Sequence, residues 1–186
     1  MDLSWKTKKS HLLISLFLFL ILTHCGNNPQ DVNPNGSFVF NLPDLKGKTY
    51  SMKDFSGQIL ILNFWATWCP PCLEEVIKLN ELCERYKNKG IQVVGITLDQ
   101  DSLDLVSPFV EKNKITYLIL KGNQKTLSDL SAGLNQMAYD VESVPNDFRG
   151  IPTTLLFDKQ GKIRKKFDGS FDSEQLEEML QSLLED

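Results

Sequence analysis

Histidine is almost absent from this sequence: only His11 and His24 occur, and both lie within the first 24 positions. Three lysines followed by an apolar run at residues 12–22 have the pattern of a secretory signal, which is shorter than a complete membrane span. If that signal is cleaved before Cys25, the remaining chain has no imidazole. Ser-His-Asp and Cys-His catalysis, zinc hydrolysis and histidine-based copper relay would then be excluded.

Cysteine is also sparse, with two isolated residues, Cys25 and Cys83, and one closely spaced pair, Cys69 and Cys72. A CxxC pair can form half of a zinc site, which needs two further thiolate or imidazole ligands. Most of the other candidate ligands lie in or beside the N-terminal apolar run. We therefore predict no metal site, which leaves a redox dithiol or a purely structural disulfide as the alternatives for the pair.

Positive charge is in slight deficit, since 20 Lys and Arg residues face 24 Asp and Glu residues for a net charge of −4. Loss of residues 1–24, which hold three lysines and one aspartate, would make the chain more acidic still. An acidic exported domain lacks the basic surface that binds phosphate backbones. We therefore expect no nucleic-acid partner.

The end of the apolar run contains a cysteine, and residues 22–25 (LTHC) resemble a bacterial lipobox. His24 departs from the small residue usual before the lipidated cysteine, so an uncleaved anchor or ordinary signal cleavage remain alternatives. We predict a lipoprotein-type signal peptide at residues 1–24, lipidation of Cys25, a flexible tether at residues 25–37 and one domain at residues 38–186. This places the protein in the cell envelope, lipid-anchored and facing the periplasm or outer surface.

The paired cysteines occupy a strand-to-helix junction, which is typical of a dithiol redox site. Apolar residues 59–62 precede the pair and a helical pattern follows it. At a helix N-terminus, free N–H groups and the helix dipole favour a thiolate. Pro70 and Pro71 stiffen the loop between the sulfurs, because proline fixes φ and lacks an N–H.

Strand and helix patterns alternate along the rest of the domain, which predicts a central mixed sheet with helices on both faces. An N-terminal β-hairpin is predicted from residues 38–40 and 49–52, and a helix from residues 72–88. Further predicted features are a helix capped by Ser102, a strand at 115–120, a hairpin of 153–158 with 162–167, and a last helix capped by Ser173.

Two motifs in this order, WATWCPPC at residues 65–72 and GIPTT at residues 150–154, closely resemble the thioredoxin-like thiol-disulfide oxidoreductases of the TlpA/ResA type. The resemblance extends from about Gly36 to the C-terminus. It implies an α/β thioredoxin-like fold, with a central mixed β-sheet flanked by helices and an N-terminal β-hairpin. It also implies an enzyme, a protein-disulfide reductase whose only redox group is its own dithiol.

Catalytic roles follow from this resemblance. Cys69 is the expected nucleophile and Cys72 the more buried resolving cysteine, which must lose a proton to attack. Thioredoxins commonly place a buried acid on the preceding strand, but the matching residue here is Asn63. Glu75 matches an acid of the ResA-like branch, is three residues beyond Cys72 and is the expected proton acceptor. The alternative is an exposed first-turn acid that stabilises the helix dipole.

Docking roles are implied in the same way. Pro152 resembles the family's cis-proline that faces the CxxC pair, and it would present the backbone of Ile151 to a substrate strand. Trp65 is as well explained by the core as by docking, and Cys83 is expected to be a small buried hydrophobe. The predicted substrate-binding residues are Trp68, Pro70, Pro71 and Ile151.

The resemblance favours reduction of cysteine-containing exported proteins by a monomer that takes electrons from a membrane dithiol donor. Apocytochrome c and copper-site proteins are candidate clients, although the GIPTT stretch differs from the Gly-x-Pro-Glu of dedicated cytochrome c maturation proteins. Residues 121–149 are longer than the usual single helix and either shape partner choice or form a solvated excursion.

The alternative functions are a redoxin-type thiol peroxidase and a non-catalytic binding module. Peroxidases carry Pro-x-x-x-Thr-x-x-Cys, where this chain has Leu62 and Ala66.

Overall fold

The computed structural model describes residues 39–99, 103–137 and 148–186. The predicted signal peptide and tether, with Cys25, lie outside the described residues, as does Ser102. No helix in the described part of the chain is long and apolar enough to cross a membrane. The predicted division at residues 24 and 37 stays a prediction.

The described residues contain a five-stranded mixed sheet. In spatial order the strands are β5 (Leu118–Lys121), β4 (Ile91–Thr97), β3 (Ile59–Trp65), β6 (Thr153–Phe157) and β7 (Ile163–Asp168). All seven residues of the central strand β3 are buried, and burial on both faces of the sheet explains the nearly continuous apolar run in the sequence. β4 is parallel to β3, and β5 is parallel to β4. β6 and β7 add to the other side of β3 as antiparallel strands.

Helices pack on both faces of this sheet, as the alternation of patterns predicts. Their bounds are α1 (Pro70–Arg85), α2 (Leu103–Lys112), α3 (Gln124–Met137) and α4 (Ser173–Glu185). One hydrophobic cluster joins the sheet to the buried stripes of α1, α2 and α4, including Val76, Val106 and Leu180. A second cluster, on the opposite face, includes Phe40 and Leu130 of α3. The α/β thioredoxin-like architecture expected from the motifs is present.

The N-terminal hairpin is confirmed, but its first strand lies further along the chain than predicted. β1 (Asn41–Pro43) pairs antiparallel with β2 (Thr49–Ser51) in a separate two-stranded sheet. Phe40, which the prediction placed in the strand, is instead buried in the second cluster, with its ring centroid 6.2 Å from that of Phe55. Residues 39 and 40 precede the paired segment, and the tertiary contacts of Phe40 accompany this shift of the strand.

Helix starts also differ from the prediction by a residue or two. The N-cap of α4 is Asp172, whose side chain accepts a hydrogen bond from Gln175 N at 3.0 Å, so the prediction of Ser173 is wrong. Aspartate caps as well as serine does, and sequence pattern does not separate neighbouring candidates. α1 begins at Pro70 rather than at Cys72, because proline is well suited to the first helical position.

Candidate active site

A disulfide joins Cys69 and Cys72 where β3 gives way to α1. Cys69 is the N-cap of α1, and its carbonyl oxygen accepts hydrogen bonds from Cys72 N at 3.0 Å and Leu73 N at 3.3 Å. Cys69 is 6% exposed and Cys72 is 0% exposed. The first cysteine is thus the more accessible sulfur, at the positive end of the helix dipole, where a thiolate is favoured.

A proline loop faces the disulfide. The peptide bond between Ile151 and Pro152 is cis, and the carbonyl oxygen of Ile151 lies 3.9 Å from Sγ of Cys69. Pairing of β3 with β6 produces this proximity, because Phe64 and Thr153 are in register at the end of both strands. The two motifs that are some eighty residues apart in sequence therefore meet at one sheet edge.

Apolar surface surrounds the accessible cysteine. Trp68 is 64% exposed, and Pro70 and Pro71 are exposed beside it. Ile151 is half-buried, and its carbonyl oxygen lies beside Sγ of Cys69. Exposed tryptophan is a frequent anchor in protein interfaces, since it offers a large apolar area with a polar N–H. The four predicted substrate-binding residues thus border the disulfide, although their role stays a prediction.

Trp65 and Cys83 belong to the packing rather than to this surface. Trp65 is fully buried, with its ring centroid 5.3 Å from that of Phe109. Cys83 is free and half-buried, and it packs against the first hydrophobic cluster. Burial raises the pKa of its thiol, which makes it a poor nucleophile at neutral pH.

Glu75 is buried in α1, at 2% exposure, so it is not the exposed first-turn acid of the alternative interpretation. Its Oε2 accepts hydrogen bonds from Asn63 Nδ2 at 2.6 Å and from Thr154 Oγ1 at 3.4 Å. Its Oε1 accepts from the backbone N–H of Phe171 at 3.2 Å. Desolvation raises the pKa of Glu75 to about 7, and these hydrogen bonds, which favour the charged form, only partly oppose it.

Asn63, at the position of the thioredoxin acid, is therefore a partner of Glu75 rather than a substitute for it. Its amide also donates to Thr154 Oγ1 at 2.8 Å, while its Oδ1 is buried and has no hydrogen-bond partner among the described residues. Reversal of the amide would bring Oδ1 against Glu75, where it could accept a hydrogen bond from the O–H of the neutral acid. The pair can thus satisfy both protonation states of Glu75.

The residues that sequence reasoning missed are Asp99 and Phe171. Asp99 lies two residues beyond the end of β4 and accepts hydrogen bonds from Thr67 N and Thr67 Oγ1. A signal for it existed, because polar residues after adjacent parallel strands converge at one sheet edge. Phe171 contributes a backbone N–H, which no sequence pattern reveals.

Residues 121–149 contain α3, which is described to Met137, and residues 138–147 lie outside the described part. The segment returns to the sheet at Phe148, whose ring centroid is 6.2 Å from that of Phe64. Among the described residues, no group of three or more His, Cys, Asp or Glu side chains could hold a metal ion.

A helix-capping disulfide opposite a cis-proline, on this five-stranded sheet, is the arrangement of a thioredoxin-fold thiol-disulfide oxidoreductase. The sequence model of the AhpC/TSA family matches residues 36–166. The chain belongs to the AhpC/TSA family, within its thioredoxin-like thiol-disulfide oxidoreductases.

Individual relatives agree with this assignment. The chain is 36% identical over 147 residues to the thiol-disulfide oxidoreductase ResA of Bacillus thuringiensis subsp. konkukian, covering 77% of this chain and 74% of ResA. A thioredoxin-family thiol:disulfide interchange protein from Chlorobium tepidum has the same fold, with a TM-score of 0.66 and 23% identity over 83% of this chain and 99% of that one. A DsbF homologue from Corynebacterium diphtheriae superposes with a TM-score of 0.63 at 28% identity, covering 79% and 85% of the two chains.

Proposed function

We propose that this oxidoreductase reduces disulfides of exported proteins while tethered to a membrane through Cys25, and that the Cys69–Cys72 pair is its only redox group. The observation that carries the proposal is the Cys69–Cys72 disulfide at the N-terminus of α1, backed by a buried acid and bordered by exposed apolar side chains. Thiol-disulfide exchange is supported by the likeness to ResA, which is named a thiol-disulfide oxidoreductase, and the reductive direction is part of the proposal.

The reaction proceeds by two thiol-disulfide exchanges. The Cys69 thiolate attacks one sulfur of the client disulfide, a mixed disulfide forms, and the other client sulfur leaves as a thiolate. The Cys72 thiolate then attacks Sγ of Cys69, which releases the second client thiolate and closes the Cys69–Cys72 disulfide. The client gains two electrons and the dithiol loses them. A membrane dithiol donor restores the reduced pair by the same exchange in reverse.

Glu75 would accept the proton that Cys72 must lose in the second exchange. Residues three apart on a helix face each other at roughly 5–6 Å between Cβ atoms, which is within reach of a side chain or one water. A carboxyl group whose pKa is about 7 is divided between its two forms at neutral pH, so it can both take up and release a proton. Asn63 and the Phe171 N–H hold the carboxylate in place.

Client recognition would use the two sides of Cys69. The backbone of Ile151 lies beside Sγ and is available to an extended client segment, in the manner of strand addition. Trp68 would cover the apolar residues next to the client cysteine. An extended polypeptide suits this arrangement, because it could pair with the backbone of Ile151 and also cover the exposed side chain of Trp68.

A thiol peroxidase is the alternative within the same family. The positions that carry proline and threonine in such enzymes hold Leu62 and Ala66 here, and both side chains are fully buried. The neighbouring hydroxyl of Thr67 is hydrogen-bonded to Asp99 at 2.6 Å. No hydroxyl is therefore offered to a peroxide at position 66, and the disulfide-reductase function is favoured.

We expect the Cys69–Cys72 couple of the isolated domain to have a reduction potential below the glutathione range, roughly −220 to −260 mV. Equilibration against glutathione or dithiothreitol, read by tryptophan fluorescence, measures it. We also expect the reduced domain to reduce insulin disulfides and to consume hydrogen peroxide no faster than a Cys69→Ser control. A potential near −120 mV, as in strong oxidants, would reverse the proposed direction. Rapid peroxide turnover would establish the peroxidase instead.

Membrane attachment is proposed from the apolar run at residues 12–22 and from Cys25 after it. In a bacterial host, the full chain is expected to incorporate radiolabelled palmitate and to sediment with membranes. Cys25→Ala should lose the label and appear in the soluble envelope fraction, whereas Cys83→Ser should behave as wild type. A Cys25→Ala protein that stays in the membrane would indicate an uncleaved anchor.

A further inference from the structure

The turn before the active-site cysteine is attached to the neighbouring strand by one buried carboxyl group. Asp99 is 1% exposed and follows β4. It accepts the backbone N–H of Thr67 at 2.9 Å on Oδ2 and the Thr67 hydroxyl at 2.6 Å on Oδ1. The hydroxyl of Thr97 donates to Oδ2 at 2.5 Å. The side chain therefore links the end of β4 to the turn that follows β3.

Backbone hydrogen bonds hold the two sides of this turn, and Asp99 holds its middle. Cys69 N donates to Ala66 O at 3.2 Å, and Leu98 N donates to Trp65 O at 2.8 Å. Thr67 is two residues before Cys69, so their Cα atoms are at most about 7 Å apart. A displacement of Thr67 would consequently be transmitted to Cys69.

Trp68 lies between Thr67 and Cys69 and depends on the same anchor. With 64% of its surface exposed, it has little packing of its own to fix its direction. The backbone of Trp68 belongs to the turn, and the hydrogen bonds between Thr67 and Asp99 fix the position of that turn. The exposed apolar surface beside the reactive sulfur is thus oriented by the Asp99 carboxyl group, which follows a neighbouring strand.

We propose that Asp99 is a positioning residue that holds Trp68 and Cys69 in the arrangement required to dock a protein disulfide. The inference rests on the proposed protein-disulfide reductase function. A polypeptide client must contact Trp68 and reach Cys69 at once, whereas a small disulfide needs only an accessible sulfur. Asp99 therefore controls the apparent affinity for protein clients more than the chemistry of exchange.

The test compares KM and kcat for insulin with the rate for hydroxyethyl disulfide, a small disulfide. Asp99→Asn keeps the size but places an NH2 group against hydrogen-bond donors, and Thr67→Val removes only the hydroxyl donor. Each is expected to raise KM for insulin about tenfold, the effect of losing one buried hydrogen bond to a carboxylate. The kcat for insulin and the rate with the small disulfide should stay within about twofold, because neither substitution alters the reacting sulfurs.

The matched control is Asp158→Asn, which disrupts a similar anchor at the opposite end of β6. Asp158 is buried, and its Oδ1 accepts from Gln160 N at 3.0 Å and Lys162 N at 2.8 Å. This variant should leave KM and kcat for insulin and the rate with hydroxyethyl disulfide unchanged, even if it lowers the melting temperature. Thr67→Val decides the outcome if Asp99→Asn does not fold.

An unchanged KM for insulin would overturn the inference, as would an equal loss of rate with both disulfides, because that would show a general effect on the fold or the dithiol. A wild-type protein that reduces hydroxyethyl disulfide but not insulin would overturn the proposed function itself, and this inference with it.

Discussion

Replacement of Cys69 by serine is expected to abolish disulfide reduction, with a loss of at least about 10³-fold, because a hydroxyl cannot form the mixed disulfide. Cys72→Ser should instead complete the first exchange and stop, so that client and enzyme accumulate as a covalent complex. The two variants differ because Cys69 is the accessible sulfur at the helix N-terminus and Cys72 is fully buried. Insulin turnover and mass spectrometry of the trapped complex measure the two effects.

Cys83→Ser is the matched control for these variants, since Cys83 is free and half-buried in the packing of α1. It should retain wild-type turnover. A covalent complex that forms with Cys69→Ser rather than with Cys72→Ser would reverse the two roles. Equal trapping by both would contradict an ordered exchange.

Glu75→Gln is expected to slow the second exchange about 10²-fold at pH 7, the usual contribution of a positioned base. The wild-type rate should rise as pH passes through about 7, where Glu75 loses its proton. In the variant, the rate should rise only at alkaline pH, where hydroxide can deprotonate the Cys72 thiol without a base from the protein. The ratio of the two rates should therefore be largest near neutrality and shrink as the solution becomes alkaline. Rapid-mixing kinetics of mixed-disulfide resolution measures it.

Glu75→Gln should also change how stability depends on pH. The pKa of Glu75 is about 7 in the folded protein and 4.5 without perturbation. Between these values the unfolded chain loses the proton and the folded protein keeps it, so raising the pH favours unfolding. The contribution of Glu75 to the free energy of unfolding is full below about pH 4.5, falls up to about pH 7 and is then constant. The fall is on the order of 3 kcal/mol at about 1.4 kcal/mol per pH unit.

Urea unfolding of the oxidised protein at pH 4.5 and pH 8 measures this fall, which Glu75→Gln should remove. Glutamine can keep the contacts, because it accepts from the Phe171 N–H and can donate to a reversed Asn63 amide. Glu74→Gln, an exposed neighbour on the same helix, should show the wild-type dependence. An identical pH dependence in wild type and Glu75→Gln would contradict the raised pKa of Glu75.

Much of the fold was predictable because its determinants are local. The buried run of β3 and the two prolines at the start of α1 are visible in the sequence, as is the alternation of strands and helices. Errors occurred where two local signals compete. The first strand of the hairpin begins at Asn41 although Phe40 also has high β-propensity, and at α4 two adjacent capping residues were equally plausible.

The sequence by itself determined the redox pair and its place at a strand-to-helix junction, since both depend on residue type and short spacing. That the second motif faces the pair was implied only by the family resemblance, because pairing of β3 with β6 brings the two motifs together. Only the tertiary structure decided the protonation of Glu75 and the anchoring of Thr67 by Asp99. The donor to Glu75 Oε1 comes from Phe171, 96 residues away, and Asp99 is 32 residues beyond Thr67. A pKa depends on how many water molecules and donors surround a group, and distant segments supply both only after the chain has folded.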